Sequence, residues 1–314
     1  KVLGFTGIDK ALVNDSYKNL ISHLKNVDKD ISLNIANSIW IREGELINKE
    51  FITKNEKNFN AEVSALDFSD PKSVDTINQW IEKETKGKIE KMLMGPIAPS
   101  IVMYLINAIY FKGEWTKPFK PDMTSKANFY AYDGNTTTVD MMSRTGDYEY
   151  AKGIGYKAIR LPYGKDKTSM HVILPDEVVD INEYIENMTP EQWNDIKTSL
   201  KKTSGVQLKL PKFKLEYGIK SLRYSLKDLG MEKAFSSNAD FSGIREGIYI
   251  NDVLHKAVIE VNEEGSKAAA STVVMMASSA PVEPAAFIAD RPFIFFITDD
   301  TTGTILFMGK VLSI

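Results

Sequence analysis

Residues 260–272 read Glu-Val-Asn-Glu-Glu-Gly-Ser-Lys-Ala-Ala-Ala-Ser-Thr, and residues 273–284 continue Val-Val-Met-Met-Ala-Ser-Ser-Ala-Pro-Val-Glu-Pro. Upstream, Val258, Glu260, Val261 and Asn262 alternate apolar and polar, the pattern of a strand that ends in an acidic turn at Glu263 and Glu264. From Gly265 to Thr272 only Lys267 has a long side chain. On an extended backbone Ser266, Ala268, Ala270 and Thr272 share one face, with Lys267 on the other. Small side chains on one face let a strand enter between two existing strands without overpacking what lies beneath. The same composition also suits an Ala-rich helix or a linker, since Ala is the best helix former.

The rest of the chain decides between these readings. Residues 101–111 are an apolar run around Asn107, read as a central strand covered on both faces. Asn107 must then be hydrogen-bonded, because a buried unpaired amide costs about 1–3 kcal/mol. The run continues Asn107-Ala-Ile-Tyr-Phe-Lys-Gly-Glu-Trp115-Thr-Lys-Pro-Phe119. Helical spacing marks 8–24 and 71–85, the second with Asn78 and Trp80 ahead of Thr85-Lys-Gly87-Lys-Ile89. Helical patterns also cover 50–59, 181–200 and 222–230. Strand patterns fall at 32–40, 65–68, 169–175 and 206–214, hairpin-like segments at 129–142 and 148–161 with Asn135 and Gly153 as turn residues, and Tyr249–Val258 feeds the opening stretch. Arg291-Pro-Phe293 and Ile305–Val311 close the chain.

Taken together these blocks resemble the serpin family from Lys1 to Ile314, and residues 263–272 resemble the hinge of its reactive-centre loop. The resemblance implies an α+β serpin fold with three β-sheets and about eight or nine helices. It implies one domain over 1–314, with hinge and loop at 263–290. The implied activity is inhibition of serine proteases as a suicide substrate: the loop is cut, the protease is trapped as an acyl-enzyme, and the hinge enters the main sheet as an extra strand. Glu263, Glu264, Gly265, Ser266, Ala268, Ala270 and Thr272 would form the hinge, and Asn107, Trp115 and His255 the gate of the sheet. The family's reactive residue lies fourteen positions after the hinge Gly and fourteen before the closing Phe. Both counts give Ser279, with Ser279–Ala280 as the bond cut. A small residue there suits the shallow pocket of elastase-like or subtilisin-like proteases. The alternatives are a non-inhibitory, carrier-like or chaperone-like serpin, or a latent form with its loop already inserted. The family also carries helices ahead of the position that Lys1 matches. The chain is therefore expected to lack its N-terminal helices, and that segment is an expected partner.

Composition narrows the other classes. The chain has 314 residues, no cysteine and a net charge of −3, with acids and bases interspersed, which argues against nucleic-acid binding. No apolar run reaches the ~18–20 residues of a membrane span. The three histidines, His23, His171 and His255, sit in no nucleophile or metal-ligand motif, so neither an enzyme nor a cofactor is expected. A monomer is expected, with an extracellular or cell-surface setting.

Overall fold

The computed structural model describes residues 4–264 and 284–314. In chain order the helices are α1 (Lys10–Lys25), α2 (Lys49–Phe59), α3 (Lys72–Glu84), α4 (Ile181–Glu186), α5 (Pro190–Ser199) and α6 (Arg223–Leu226). The strands are β1 (Ile31–Arg42), β2 (Ala61–Leu66), β3 (Met103–Gly113), β4 (Thr124–Tyr130), β5 (Thr136–Gly153), β6 (Tyr156–Tyr163) and β7 (Thr168–Pro175). They continue with β8 (Lys201–Pro211), β9 (Phe213–Ser221), β10 (Leu254–Val261), β11 (Ala286–Ile288), β12 (Phe293–Asp299) and β13 (Ile305–Val311). Three short 3₁₀ or π segments complete the described helical structure, at Pro121–Met123, Lys227–Met231 and Glu232–Phe235.

The chain forms two compact units, each assembled from segments distant in sequence. One takes in the described residues of Lys1–Val27, Ser32–Lys112 and Leu215–Ile259. Its sheet has five strands in the order β2-β1-β3-β10-β9. α3 packs Ile77 and Ile81, both fully buried and four residues apart, into a core with Trp40, Ile106, Ala108, Tyr110 and Val258. Asn78, on the same helix, accepts from the amides of Met92 and Leu93 at 2.9 and 3.0 Å and donates to the Leu93 carbonyl at 3.0 Å. Thr85 closes the turn that follows, donating to the Ile81 carbonyl at 2.7 Å and accepting from the Ile89 amide at 3.1 Å. The Asn-x-Trp and Thr-x-Gly-Lys-Ile blocks are thus a clamp between the helix and residues 85–93.

The apolar run at 101–111 is indeed a central strand, but its two faces differ. Ile106, Ala108 and Tyr110 are buried, whereas Leu105 is 45% exposed. Two further expectations shift. The strand expected at 65–68 lies earlier, at Ala61–Leu66, because β1 pairs with it in parallel from Asn37↔Ala61 to Arg42↔Leu66. The helix expected over 181–200 is two helices, since Thr189 with Pro190 and Gln192 forms a capping box that starts a second one.

The other unit takes in the described residues of Asp28–Ile31, Gly113–Lys214 and Glu260–Ile314. Its eight-stranded sheet runs β11-β8-β5-β6-β7-β12-β13, with β4 paired to β5. β7 and β12 are buried at every position. Among the described residues hydrogen bonding joins the strands into two networks, and β5, 18 residues long, pairs with β4, β6 and β8 together.

Candidate functional site

In the first unit β3 and β10 are parallel and direct neighbours, from Leu254↔Ile106 to Ile259↔Phe111. Over those residues no other strand lies between them in this structure, although the latent alternative requires one. His255 stands opposite Asn107 in this register. Their side chains make no bond to each other among the described residues; Asn107 Nδ2 instead donates to Asn37 Oδ1 on β1 at 2.8 Å. Asn37 in turn donates to the Phe59 carbonyl at 2.9 Å. The requirement that Asn107 be bonded is therefore met from β1. Burial holds the imidazole of His255 below its ordinary pKa, favouring the neutral ring beside the seam. Two residues along β10 from His255's neighbour Leu254, Lys256 is buried; its ammonium pairs with Glu216 at 3.0 Å and donates to the Lys91 carbonyl at 3.3 Å.

In the second unit lies the root of the stretch read as a hinge. Trp115, 3% exposed, donates from Nε1 to the Asn262 carbonyl at 2.9 Å. Its ring stacks on Tyr163 at 4.3 Å and meets the edge of Phe119 at 6.2 Å. The next residue, Glu263, accepts from Thr124 Oγ1 at 2.8 Å and pairs with Lys212 Nζ at 2.9 Å. Burial alone would raise the pKa of this carboxyl, but the bonds from Lys212 and Thr124 and the Lys212 charge outweigh it, and the net direction is down. Glu264 follows with its amide on Asn262 Oδ1 at 2.9 Å, so the acidic turn closes on itself. The chain leaving β10 is thus tied at two consecutive residues, by an indole and by a carboxylate.

Of the residues read as the site, Asn107 and His255 share one register position, and Trp115 and Glu263 hold neighbouring residues of one turn. Gly265, Ser266, Ala268, Ala270, Thr272, Ser279 and Ala280 lie outside the described residues. Lys212, Thr124 and Asn37 were not read from the sequence. Lys212 had a signal, as the one polar interruption between Leu210-Pro211 and Phe213; Thr124 and Asn37 had none, since each acts through a partner remote in the chain. Among the described residues no group of three or more His, Asp or Glu side chains could hold a metal ion, and no helix is long and apolar enough to cross a membrane.

Comparison with known proteins agrees with this arrangement. The family model described as "Serpin (serine protease inhibitor)" matches residues 1–314. An alpha-1-antitrypsin homolog of Cyprinus carpio is 36% identical, over 98% of this chain and 82% of its own. Iripin-2 of Ixodes ricinus is 35% identical, over 98% and 79%. Among solved structures, the native state of the thermophilic serpin tengpin has a TM-score of 0.87 at 34% identity, covering 100% of this chain and 81% of its own. Native protease nexin-1 with heparin has a TM-score of 0.86 at 31% identity, covering 99% and 84%.

Proposed function

The chain belongs to the serpin family, whose members are generally serine protease inhibitors rather than enzymes, and from that premise we propose that it is a suicide inhibitor of serine proteases that inserts its own loop. The observation that carries the reading is the parallel β3–β10 seam, with β10 continuing directly into the small-residue stretch. A strand that follows β10 through a tight turn and returns between β10 and β3 runs antiparallel to both. Insertion therefore replaces one parallel ladder by two antiparallel ones, the pairing that is slightly more stable per residue. Each added backbone hydrogen bond contributes about 0.5–1.5 kcal/mol net. The uninserted state is then held by a barrier rather than by depth, and strand insertion of this kind by serpins is an established mode of strand addition.

The chemistry follows in order. A protease attacks the Ser279 carbonyl, the bond to Ala280 breaks, and the protease serine remains esterified to Ser279. The freed hinge enters the seam before water reaches the ester, carrying the protease with it and distorting its catalytic site. Ser266, Ala268, Ala270 and Thr272 make that entry fast by presenting small side chains to the layer below. Ser279 favours proteases with a shallow primary pocket, elastase-like or subtilisin-like, and excludes those whose pocket requires Lys or Arg. A monomer acting outside the cell or at its surface, where such proteases are met, is part of the same reading.

Incubation with a subtilisin-like and an elastase-like protease tests it by denaturing gel and mass spectrometry. An SDS-stable complex with the acyl bond at Ser279 is expected. Clean cleavage without a complex would instead establish a substrate-like or carrier-like serpin.

A further inference from the structure

Between α1 and β1 the chain buries a carboxylate. Asp28 is 7% exposed and belongs, with residues 29–31, to the second unit. Among the described residues its carboxylate is held by backbone amides rather than by a cation: Oδ1 accepts from Asp30 at 3.0 Å and Oδ2 from Lys165 at 2.5 Å. Burying a carboxylate is unfavourable unless it is hydrogen-bonded, and bonds to an ionised acceptor are the strong ones. One oxygen therefore closes the turn into β1, while the other reaches a residue 137 positions away.

The segment it reaches is built to receive it. Lys165 follows Tyr163 and Gly164 in the turn after β6, and a Cβ at Gly164 would stand 2.3 Å from Asp28 Oδ2. Only glycine admits so close an approach, at a backbone φ of +49°. The Gly164 amide donates to the Glu114 carbonyl at 2.7 Å, and Thr116 donates from its hydroxyl to the Gly164 carbonyl at 2.8 Å and from its amide to the Pro162 carbonyl at 2.9 Å. The Glu114 amide donates in turn to the Asp30 carbonyl at 3.3 Å. Three short segments thus close a ring of hydrogen bonds, and Trp115 and Tyr163 lie within it. These two bridge in antiparallel register, both side chains are buried, and their rings stack with only 13° between the planes. The indole has a single donor, and it is committed to the Asn262 carbonyl at the root of the hinge.

We infer that Asp28 is a positioning residue for the hinge: by pinning the turn at Tyr163–Lys165 it holds the Tyr163 ring against Trp115 and keeps the indole aimed at the Asn262 carbonyl. Asp28 itself touches neither the hinge nor the seam, and acts at two removes. The consequence for activity rests on the inhibitory reading. With the carboxylate gone, the Asn262 end of the hinge is released more often, and the uninserted state decays sooner without any protease.

Hydrogen exchange of the Trp115 indole, followed by nitrogen-15 NMR on the full chain and assigned by its loss in Trp115→Phe, tests the positioning without reference to inhibition. In Asp28→Ala this indole is expected to exchange at least about tenfold faster, as loss of charge-assisted bonds predicts, while the amides of β7 and β12 keep their rates. Asp28→Asn retains one acceptor oxygen and is expected to fall between, about two- to tenfold faster than the parent. Gly164→Ala keeps the carboxylate but crowds it, and is expected to act in the same direction, which guards against a failure of Asp28→Ala to fold. Spontaneous loss of inhibitory capacity on storage is expected to quicken at least about threefold in Asp28→Ala, but to change little when the same substitution is made in Trp115→Phe, the non-additivity of residues that act through one another. Unchanged indole exchange in Asp28→Ala and Gly164→Ala would overturn the proposal. So would equal acceleration across β7 and β12, the mark of a residue that only supports the fold, or full additivity with Trp115→Phe. Faster indole exchange in a chain whose parent never traps a protease would uphold the positioning role and sink the inhibitory reading alone.

Discussion

Single residues set how tightly the hinge is tied down. Glu263 titrates below its ordinary 4.5, so its bonds to Lys212 and Thr124 stabilise the fold fully above that pH and are lost as pH falls through the lowered value. Glu263→Gln is expected to cost about 0.5–1 kcal/mol at pH 7, because Lys212, itself 38% exposed, loses its partner but stays solvated. In denaturant titrations from pH 7 to 3 the gap between variant and parent is expected to close once the parent carboxyl protonates; a constant gap would mean that the pair contributes through packing alone. His255 acts in the same sense at a higher pH. Its folded pKa lies below the ordinary 6.5, so the neutral ring contributes stability above that value, and the contribution falls away as the imidazole is forced to charge. Unfolding of the parent is expected to quicken between pH 7 and pH 5, and His255→Gln to show a flatter profile measured by stopped-flow fluorescence.

At the scale of elements, the hinge and the clamp on α3 make opposite predictions. On the inhibitory reading, Thr272→Arg puts a long charged side chain into the stretch proposed to enter the sheet. The expected result is a protein of unchanged stability that proteases cut without forming a stable complex, read from the ratio of cleaved to complexed chain on a gel. Asn78→Ala removes three buried hydrogen bonds to residues 92 and 93 and is expected to cost about 3 kcal/mol in urea titrations. The elements also show what a sequence states openly. β10 and α3 were legible because each carries its own periodicity, β3 because it is a continuous apolar run, and Trp115 and Asn107 because they stand in a long motif. The position of β2 was not, since pairing with β1 rather than local pattern places it. The break between α4 and α5 was written in Thr189, Pro190 and Gln192 and was passed over in favour of an unbroken apolar period. The network in which Arg160, Ser169 and Thr298 converge on Asp300 joins positions up to 140 residues apart, and no local pattern announces it.

For the whole molecule, that network matters to any experiment in acid. Burial would raise the Asp300 carboxyl, but bonds from His171, Ser169 and Arg160 hold it far below the ordinary carboxylate range. Its contribution therefore survives the mild acidification over which His255 and then Glu263 respond. A cut in the loop is expected to raise the thermal midpoint of the chain, since the inserted strand adds a ladder on each side of the seam; an unchanged midpoint in calorimetry would count against insertion. If the proposed insertion holds, the β3–β10 seam also makes each molecule a counter. A reversible binder is described by an affinity and can be washed clean, whereas a chain that admits a strand between Ile106–Phe111 and Leu254–Ile259 does so once. A preparation then holds a fixed number of events, and its history can be read afterwards as the fraction of molecules in which those two strands no longer touch.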